Sequence, residues 1–229
     1  MKRLFALLCL AGMSLPVFAA SDKAALDERL ENARIVIDEV MQTPDKGIPD
    51  GIVKQATCIA VVPSLKKGAF IVGAQYGQGV VTCRTGRGWS APVFVRLEGG
   101  SFGWQIGGQS TDLILVAMNE HGLQHMLGSK FKLGADAAAS AGPVGRNAQA
   151  ATDASMHAEF LTYSRSRGLF AGLDLDGTVL SQDADDMRDF YGANIPFQGV
   201  LKGDVPTPQD ARPFVRTVAH YFVSSRAAQ

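Results

Sequence analysis

Two pairs of basic residues have a spacing suited to binding phosphate. Arg165 and Arg167 are two positions apart, and so are Lys130 and Lys132. Side chains two positions apart lie on the same face of a β-strand, so each pair would present two cations side by side to an anionic group. The alternative is a solvated strand face whose charges contact only water. The first interpretation predicts a site for a phosphate group.

A second possible site is apolar. Phe102 and Trp104 alternate with Gly103 in a strand-like pattern, and Gly107 lies on the same bare face as Gly103. With Trp89, the two rings could line a pocket for acyl chains, because small barrels can enclose a ligand. Alternatively, the rings fill the core. The residues of these two candidate sites are Arg165, Arg167, Lys130, Lys132, Trp104, Phe102, Gly103 and Gly107.

One motif suggests catalysis. The run from Gly99 to Gly103 matches the G-x-S-x-G pattern of serine hydrolases, with Ser101 as the candidate nucleophile. That mechanism needs the serine on a sharp strand-to-helix turn, with a histidine and an acid nearby. Strand-like alternation follows Ser101 instead of a helix. A serine hydrolase is therefore the least favoured of the three functions considered for this chain. The sequence favours a protein that is not an enzyme.

Two further patterns resemble metal sites. His121 and His125 are four positions apart and would share a helix face, but no third ligand is obvious beyond the neighbouring Glu120. Asp174, Asp176 and Asp183 resemble a calcium loop, yet Gly177 falls at the fourth loop position and not the sixth. Neither pattern predicts a metal, and nothing in the sequence indicates a cofactor.

Composition indicates a folded, strand-rich protein. The chain has 229 residues, 46% of them hydrophobic, and 25 glycines, which suits one domain with a sizeable core. It carries 22 basic and 22 acidic residues. A nucleic-acid partner is not expected, because phosphate contacts require an excess of basic residues.

The first nineteen residues have the pattern of a signal peptide. Lys2 and Arg3 precede an apolar run from Leu4 to Leu15, which is too short to span a bilayer, and Val17-Phe18-Ala19 supplies small or tolerated residues for a cleavage site before Ala20. We therefore expect an exported protein, periplasmic in a bacterium, and either soluble or peripherally attached to a membrane.

Two cysteines, Cys58 and Cys83, remain after the signal peptide. An oxidising compartment favours a disulfide between them. The alternative is a pair of buried free thiols, because two cysteines without a histidine at suitable spacing cannot form a zinc site.

The elements that position these residues begin with a helix from Ser21 to Met41. Its acidic face suits packing on a sheet better than contact with anionic lipid.

The next part of the chain contains short β segments. Its centre is a pair of strands within residues 97–118, separated by a bend at Gln109-Ser110. The expected segments are 58–62, 69–76, 79–83 and 93–97, with turns at 66–68, 77–79 and 85–88. This spacing suggests a closed or nearly closed antiparallel sheet.

Beyond the central pair, Asn119 to Leu127 is predicted to be a helix capped by Asn119 and ended by Gly128. The stretch from Phe131 alternates as a strand does, although its alanines would also suit a helix. Asp176-Gly177 predicts a two-residue hairpin turn. Helices are expected over 183–191 and about 213–225, and Arg212, Arg216 and Arg226 make the last one basic.

Several motifs in the right order resemble the SYLF domain, also called the Ysc84 actin-binding domain. They begin with Trp89-Ser90-Ala91-Pro92 and the glycine-rich run Gly99–Gly107, and continue through Lys130–Asp136 and Ala141–Gly145 to Tyr163–Gly172. Together they cover roughly residues 52–192. The resemblance implies an antiparallel β core with flanking helices. It also implies lipid binding, since relatives in eukaryotes bind phosphoinositides, and some bind and bundle actin.

The predicted fold is therefore α+β: a curved, largely antiparallel sheet or partly closed barrel with an N-terminal amphipathic helix, short flanking helices and a C-terminal helix. The predicted parts are a signal peptide (1–19), a helix and linker (20–50), a SYLF-like domain (51–192) and a C-terminal extension (193–229). The predicted function is binding of anionic phospholipid or another amphiphile. The alternative is an envelope module that binds a protein partner through its basic C-terminal helix. Actin is a partner only by family resemblance and is not expected for an exported protein.

Overall fold

Two long antiparallel strands form the centre of the fold. In the computed structural model, β1 (Cys58–Thr85) and β3 (Val93–Ala117) pair along almost their whole length. The structure describes residues 18–43, 47–144, 158–166, 169–171 and 175–222. A two-residue strand, β2 (Gly88–Trp89), pairs with the end of β1 across a turn at residues 86–87, within the predicted turn at 85–88.

The β1 strand curls until its two ends meet. At about 3.3 Å per residue, a straight strand would hold Cys58 and Cys83 roughly 80 Å apart. Their Cα atoms are instead 4.0 Å apart, and the predicted disulfide joins them. Beside the disulfide, the backbone N–H of Arg84 donates to the carbonyl oxygen of Thr57 at 2.7 Å. The sheet is therefore a strongly curled half-barrel, and the disulfide lies where the curl closes.

The curl depends on bulges and on bare positions. Between Val62 and Leu65, β1 has one residue more than β3, and Ser64 at this bulge has a φ of 55°. A Cβ at Gly77 would lie 2.5 Å from Cγ1 of Val62, and one at Gly79 would overlap the carbonyl oxygen of Val61. The end of β1 can therefore cross its own beginning only because both positions lack a side chain.

Three predicted interruptions of these strands are wrong. The segments 66–68 and 77–79 are not turns, because both lie within the continuous β1 strand. Gln109 and Ser110 do not form a bend between two strands, since they pair with Lys67 and Lys66 in the middle of the ladder. Glycine is common both in turns and where backbones approach closely, and here the second cause applies.

β3 is the hub of the sheet, as predicted. One edge pairs with β1, and the other pairs with β8 over Val95–Glu98 and with β6 over Asp112–Ala117. β4 pairs with β8, β5 runs parallel to β6, and β7 runs antiparallel to β6. The bounds are β4 Lys130–Lys132, β5 Ala139–Ala141, β6 Phe160–Ser166, β7 Leu169–Ala171 and β8 Val179–Gln182.

The predicted hairpin at Asp176-Gly177 is also incorrect in its pairing. A turn is present, and Gly177 has a φ of 82°. However, β7 before the turn pairs with β6, whereas β8 after it pairs with β3 and β4. The dipeptide therefore specifies only that the chain reverses direction. The strands on either side of the turn pair with other strands of the sheet and not with each other.

Six helices are described, and most match the predictions. They are α1 Phe18–Gln42, α2 Asp50–Gln55, α3 Glu120–Leu127, α4 Ala184–Tyr191, α5 Phe197–Lys202 and α6 Arg212–Tyr221. Asn119 caps α3 by accepting a hydrogen bond from the backbone N–H of Gly122, and Gly128 ends the helix. No helix within the described part of the chain is long and apolar enough to span a bilayer.

α1 packs its apolar stripe into the core beside the curled sheet. The buried positions follow the predicted three- and four-residue steps: Leu26, Leu30, Ala33, Ile37 and Val40, each at most 2% exposed. α6 lies beside α1 and runs in the same direction, because Lys23 pairs with Asp210 at one end and Gln42 donates to the Tyr221 hydroxyl (3.1 Å) at the other. The fold is α+β with a half-barrel sheet and helices at both ends of the described chain, as predicted.

Candidate functional site

The lysine pair of β4 lies on one exposed strand face. Lys130 and Lys132 are exposed, while Phe131 between them is 3% exposed and stacks on Phe160 at 5.2 Å between ring centroids. The backbone N–H of Lys132 donates to Asp136 Oδ2 at 2.7 Å, which holds the following turn. This arrangement can present two ammonium groups to one anionic surface, because Phe131 fixes the strand from below.

Arg165 is placed differently. It lies on β6 opposite Asp112, and its guanidinium donates to Glu39 on α1. Arg165 therefore connects the sheet to the N-terminal helix. It is not beside the β4 lysines, because β6 and β8 pair with opposite ends of β3. Arg167 lies outside the described residues.

The predicted apolar site is on the middle of β3. In the ladder, Phe102 is opposite Val72, Gly103 opposite Ile71 and Gly107 opposite Ala69. β3 has two residues more than β1 between Gly103 and Gly107, so the strand bulges around Trp104. The side chains of Phe102 and Trp104 lie outside the described structure, so a pocket lined by them remains a prediction.

Trp89 belongs to the core. It is 9% exposed, its ring meets Phe222 edge to face at 6.0 Å, and the Arg84 guanidinium lies 4.7 Å from its centroid. Its indole N–H donates to the carbonyl oxygen of Phe222 at 3.3 Å. Trp89 therefore anchors the end of α6 against the sheet, as the core-packing interpretation predicts.

Next to Trp89, the structure shows a small open cavity that sequence reasoning missed. Its volume is about 290 Å³, and it lies between the β1–β2 turn and the loop after α5. Arg87 spans it by donating to the carbonyl oxygen of Gly203 at 2.9 Å. The volume is at the lower limit for small-molecule sites. Because one wall is formed by residues 203–207, no local motif could have indicated it.

α6 carries an exposed basic stripe. Arg212, Arg216 and His220 are exposed at four-residue intervals, whereas Phe214 and Val218 are buried on the opposite face. This separation confirms the predicted amphipathic basic helix. Among the described residues, neither arginine of this stripe has a carboxylate partner. The stripe can therefore bind an acidic surface.

A second group of charges is internal and paired. Asp183 is fully buried and pairs with Arg96, and the nearby Asp186 pairs with Arg29 of α1. Burial opposes ionisation of Asp183, but hydrogen bonds from Arg96 and the backbone of Asp186 outweigh it and lower the pKa of Asp183. Burial also raises the pKa of Asp186, which the contact with Arg29 only partly offsets. These charges connect α1, β3 and α4 and serve the fold.

The histidine pair of α3 faces a carboxylate that the sequence did not indicate. Glu159 lies 3.3 Å from His125 Nε2 and 4.0 Å from His121 Nδ1. In the described ranges, no three His, Cys, Asp or Glu side chains are arranged to hold a metal ion. The contact brings α3 against the residue that precedes β6.

The backbone around Ser101 does not match a nucleophile elbow. Ser101 lies within β3 opposite Gly73, and the strand continues to Ala117. The sharp strand-to-helix turn that would expose a catalytic serine is therefore not formed at this position.

Comparison with known proteins gives a consistent result. The family model described as "Ysc84: Las17-binding protein actin regulator" matches residues 98–221. The SH3 domain-containing YSC84-like protein 1 of Rattus norvegicus is 35% identical over 170 residues, which are 73% of this chain and 50% of that protein. Protein YSC84 of Saccharomyces cerevisiae is 34% identical over 178 residues, 75% of this chain and 37% of its own length. LAS seventeen-binding protein 3 of the same yeast is 33% identical over 180 residues, 76% of this chain and 39% of its own length. This chain thus spans half or less of the length of these relatives.

Proposed function

The chain belongs to the Ysc84 family, whose model matches more than half of it, and on that premise we propose that it is an exported, non-enzymatic binding module that holds anionic phospholipid head groups at the periplasmic membrane surface. The observation that carries the proposal is the exposed pair Lys130 and Lys132 on β4. Two ammonium groups on one strand face complement a layer of phosphate groups.

The size of this interaction suits reversible binding. Each lysine near an anionic membrane contributes about 1 kcal/mol, so the pair contributes about 2 kcal/mol, or roughly a thirtyfold gain in affinity. Lasting attachment would require more than this pair. The glycine-rich middle of β3, with Phe102 and Trp104, is the proposed apolar contribution.

The charges of α1 determine the orientation that we propose. The outer face of α1 carries Glu28 and Glu31, and an anionic bilayer would repel them. The β4 face would therefore lie against the membrane, with α1 directed away from it. Lipid contact would then involve the sheet and not the N-terminal helix.

Flotation of residues 20–229 with vesicles tests this proposal. Phosphatidylcholine vesicles with and without phosphatidylglycerol would be compared at low and high salt. We expect binding only with phosphatidylglycerol, decreasing with salt, and strongly reduced by Lys130→Glu/Lys132→Glu. The matched control is Lys54→Glu, which reverses an exposed lysine on α2. Equal flotation of the double variant and the control would overturn the proposed site.

A second candidate function is protein binding through α6. Two arguments favour it: the unpaired basic stripe of that helix, and the names of the family and its yeast relative, which describe proteins that bind Las17. Export would separate this chain from actin, so the proposed partner is an acidic protein of the envelope. Arg212→Glu/Arg216→Glu is the appropriate variant for a pull-down. Deleting α6 would not be informative, because Phe214 and Phe222 are each 1% exposed and belong to the core.

A further inference from the structure

Two neighbouring helices carry opposite charges on their outward faces. α6 exposes Arg212, Arg216 and His220. The outer side of α1 carries Glu28, Glu31 and Asp38, and the one guanidinium among them, Arg34, binds Glu31 at 2.6 Å and Asp38 at 2.5 Å. Three carboxylates against one guanidinium leave this face of α1 acidic.

The two charged faces do not neutralise each other within one chain. α1 and α6 run in the same direction and touch through Lys23–Asp210 and Gln42–Tyr221. Among the described residues, no ion pair joins Glu28 or Glu31 to Arg212 or Arg216. The acidic and basic faces therefore lie side by side, and neither is neutralised by the other.

We propose that this α1–α6 face is the docking site for a second copy of the chain. A two-fold axis parallel to the helices would place α6 of each copy on α1 of the other, so that the basic stripe meets the acidic face twice. Ile35, 38% exposed on the outer side of α1, would supply an apolar contact within the interface. The inference rests on the second candidate function, which is protein binding through α6. It specifies that the acidic partner bound by α6 is a second copy of this chain.

The charge pattern favours a second copy over a membrane. A bilayer is flat, so an anionic surface that attracts α6 would also meet the carboxylates of α1. A second copy presents both signs in the complementary order. Exposed ion pairs are individually weak and screened by salt, so the dimer should be weak and should dissociate as the salt concentration rises.

Sedimentation equilibrium with a charge exchange tests the proposal. Variant A is Arg212→Glu/Arg216→Glu, and variant B is Glu28→Lys/Glu31→Lys. In variant A both helix faces are acidic, and in variant B both are basic. A dimer of either variant would therefore place like charges opposite each other at both contacts, so each variant should be monomeric where the wild type dimerises. An equimolar mixture should restore dimers to at least the wild-type level, because A and B attract each other at both contacts. Lys54→Glu should dimerise as the wild type does.

All substituted side chains are exposed, and circular dichroism would confirm that both variants are folded. A wild type that stays monomeric at low salt and high concentration overturns the inference. So does a mixture of folded A and B that remains monomeric. One outcome separates the two proposals: the wild type is monomeric, but it captures an envelope protein that variant A does not capture. In that case α6 binds a protein partner, and the proposal that this partner is a second copy of the chain is wrong. If A changes neither capture nor association, both the partner and the role of α6 are wrong.

Discussion

Arg96 donates two hydrogen bonds to the buried carboxylate of Asp183, from Nε at 2.5 Å and from a terminal nitrogen at 2.7 Å. The same carboxylate accepts the backbone N–H of Asp186 at 3.2 Å and so caps α4. One side chain therefore joins the hub strand to a helix 87 residues further along the chain. Next to it, Asp186 binds Arg29, which brings α1 into the same group of charges.

Replacement of Asp183 should destabilise the fold. In Asp183→Asn, the paired guanidinium of Arg96 loses its counter-charge and α4 loses its charged cap, so we expect a loss of about 2 kcal/mol in the free energy of unfolding. Urea denaturation at pH 7 measures it. Asp185→Asn is the control, because that side chain is 67% exposed and should change stability by less than about 0.5 kcal/mol. Equal effects of the two substitutions would contradict the prediction.

The same pair predicts a pH dependence. The pKa of Asp183 is lowered in the folded protein, so its contribution is fully present above the unfolded pKa, near 3.9, and is lost as the pH falls through the folded pKa. The raised pKa of Asp186 acts in the opposite direction. The stability difference between wild type and Asp183→Asn isolates Asp183. It should shrink from pH 6 towards pH 2, and a constant difference would show that Asp183 does not titrate as described.

Reduction of the Cys58–Cys83 disulfide should weaken the closed curl. A loop of 25 residues contributes about 3–4 kcal/mol on the chain-entropy estimate. Denaturant titration with and without a thiol reductant should show this loss in the wild type. The double variant Cys58→Ser/Cys83→Ser should have the lower stability under both conditions. If the reductant left the wild type unchanged although free-thiol titration showed a reduced bond, the bond would not stabilise the curl.

A methyl group at Gly79 should be poorly tolerated. The added Cβ would overlap the carbonyl oxygen of Val61, so Gly79→Ala should destabilise the protein by at least about 2 kcal/mol. Gly51→Ala on α2 is the matched control, because a Cβ added there would meet no atom within 4 Å. That control should be neutral or stabilising by up to about 1 kcal/mol. Thermal unfolding of both variants gives the comparison, and equal midpoints would argue against a close crossing of β1 over itself.

The Arg165–Glu39 pair allows lipid binding to be separated from helix docking. Reversal of Arg165 alone removes a cation and also leaves Glu39 facing like charge. The exchange Arg165→Glu/Glu39→Arg keeps the pair, so we expect it to recover the stability lost in Arg165→Glu, about 0.5 kcal/mol for a partly exposed pair. Vesicle flotation of the exchange variant should match the wild type if only the β4 lysines bind lipid. Loss of flotation in this folded variant would assign Arg165 to the lipid site.

Local signals were sufficient for four of the six described helices and for the lysine face. Asn119 and Gly128 bracket α3, and Asp183 caps α4, because capping depends on residues within one turn of the helix. Lys130 and Lys132 lie on one exposed face because side chains alternate in any strand. The apolar steps of α1 likewise indicated its buried side before any packing was known.

The glycine signals were ambiguous for a physical reason. Gly77-Gln78-Gly79 has the composition of a turn, yet it lies in an uninterrupted strand. A glycine indicates that a side chain would not fit or that the backbone is unusual, and only the neighbouring atoms show which applies. Those atoms belong to Val61 and Val62, at the other end of the same strand.

The sequence by itself determined the α+β class, four of the six described helices, the caps of α3 and the family, because these depend on the types and spacing of nearby residues. Tertiary structure alone decided that β1 runs unbroken through residues 66–68 and 77–79, and that Arg165 faces Glu39 while Asp183 faces Arg96. It also placed the acidic side of α1 next to the basic side of α6. Hydrogen bonds between strands and contacts between charges join residues far apart along the chain, and the free energy of packing the whole core selects among them.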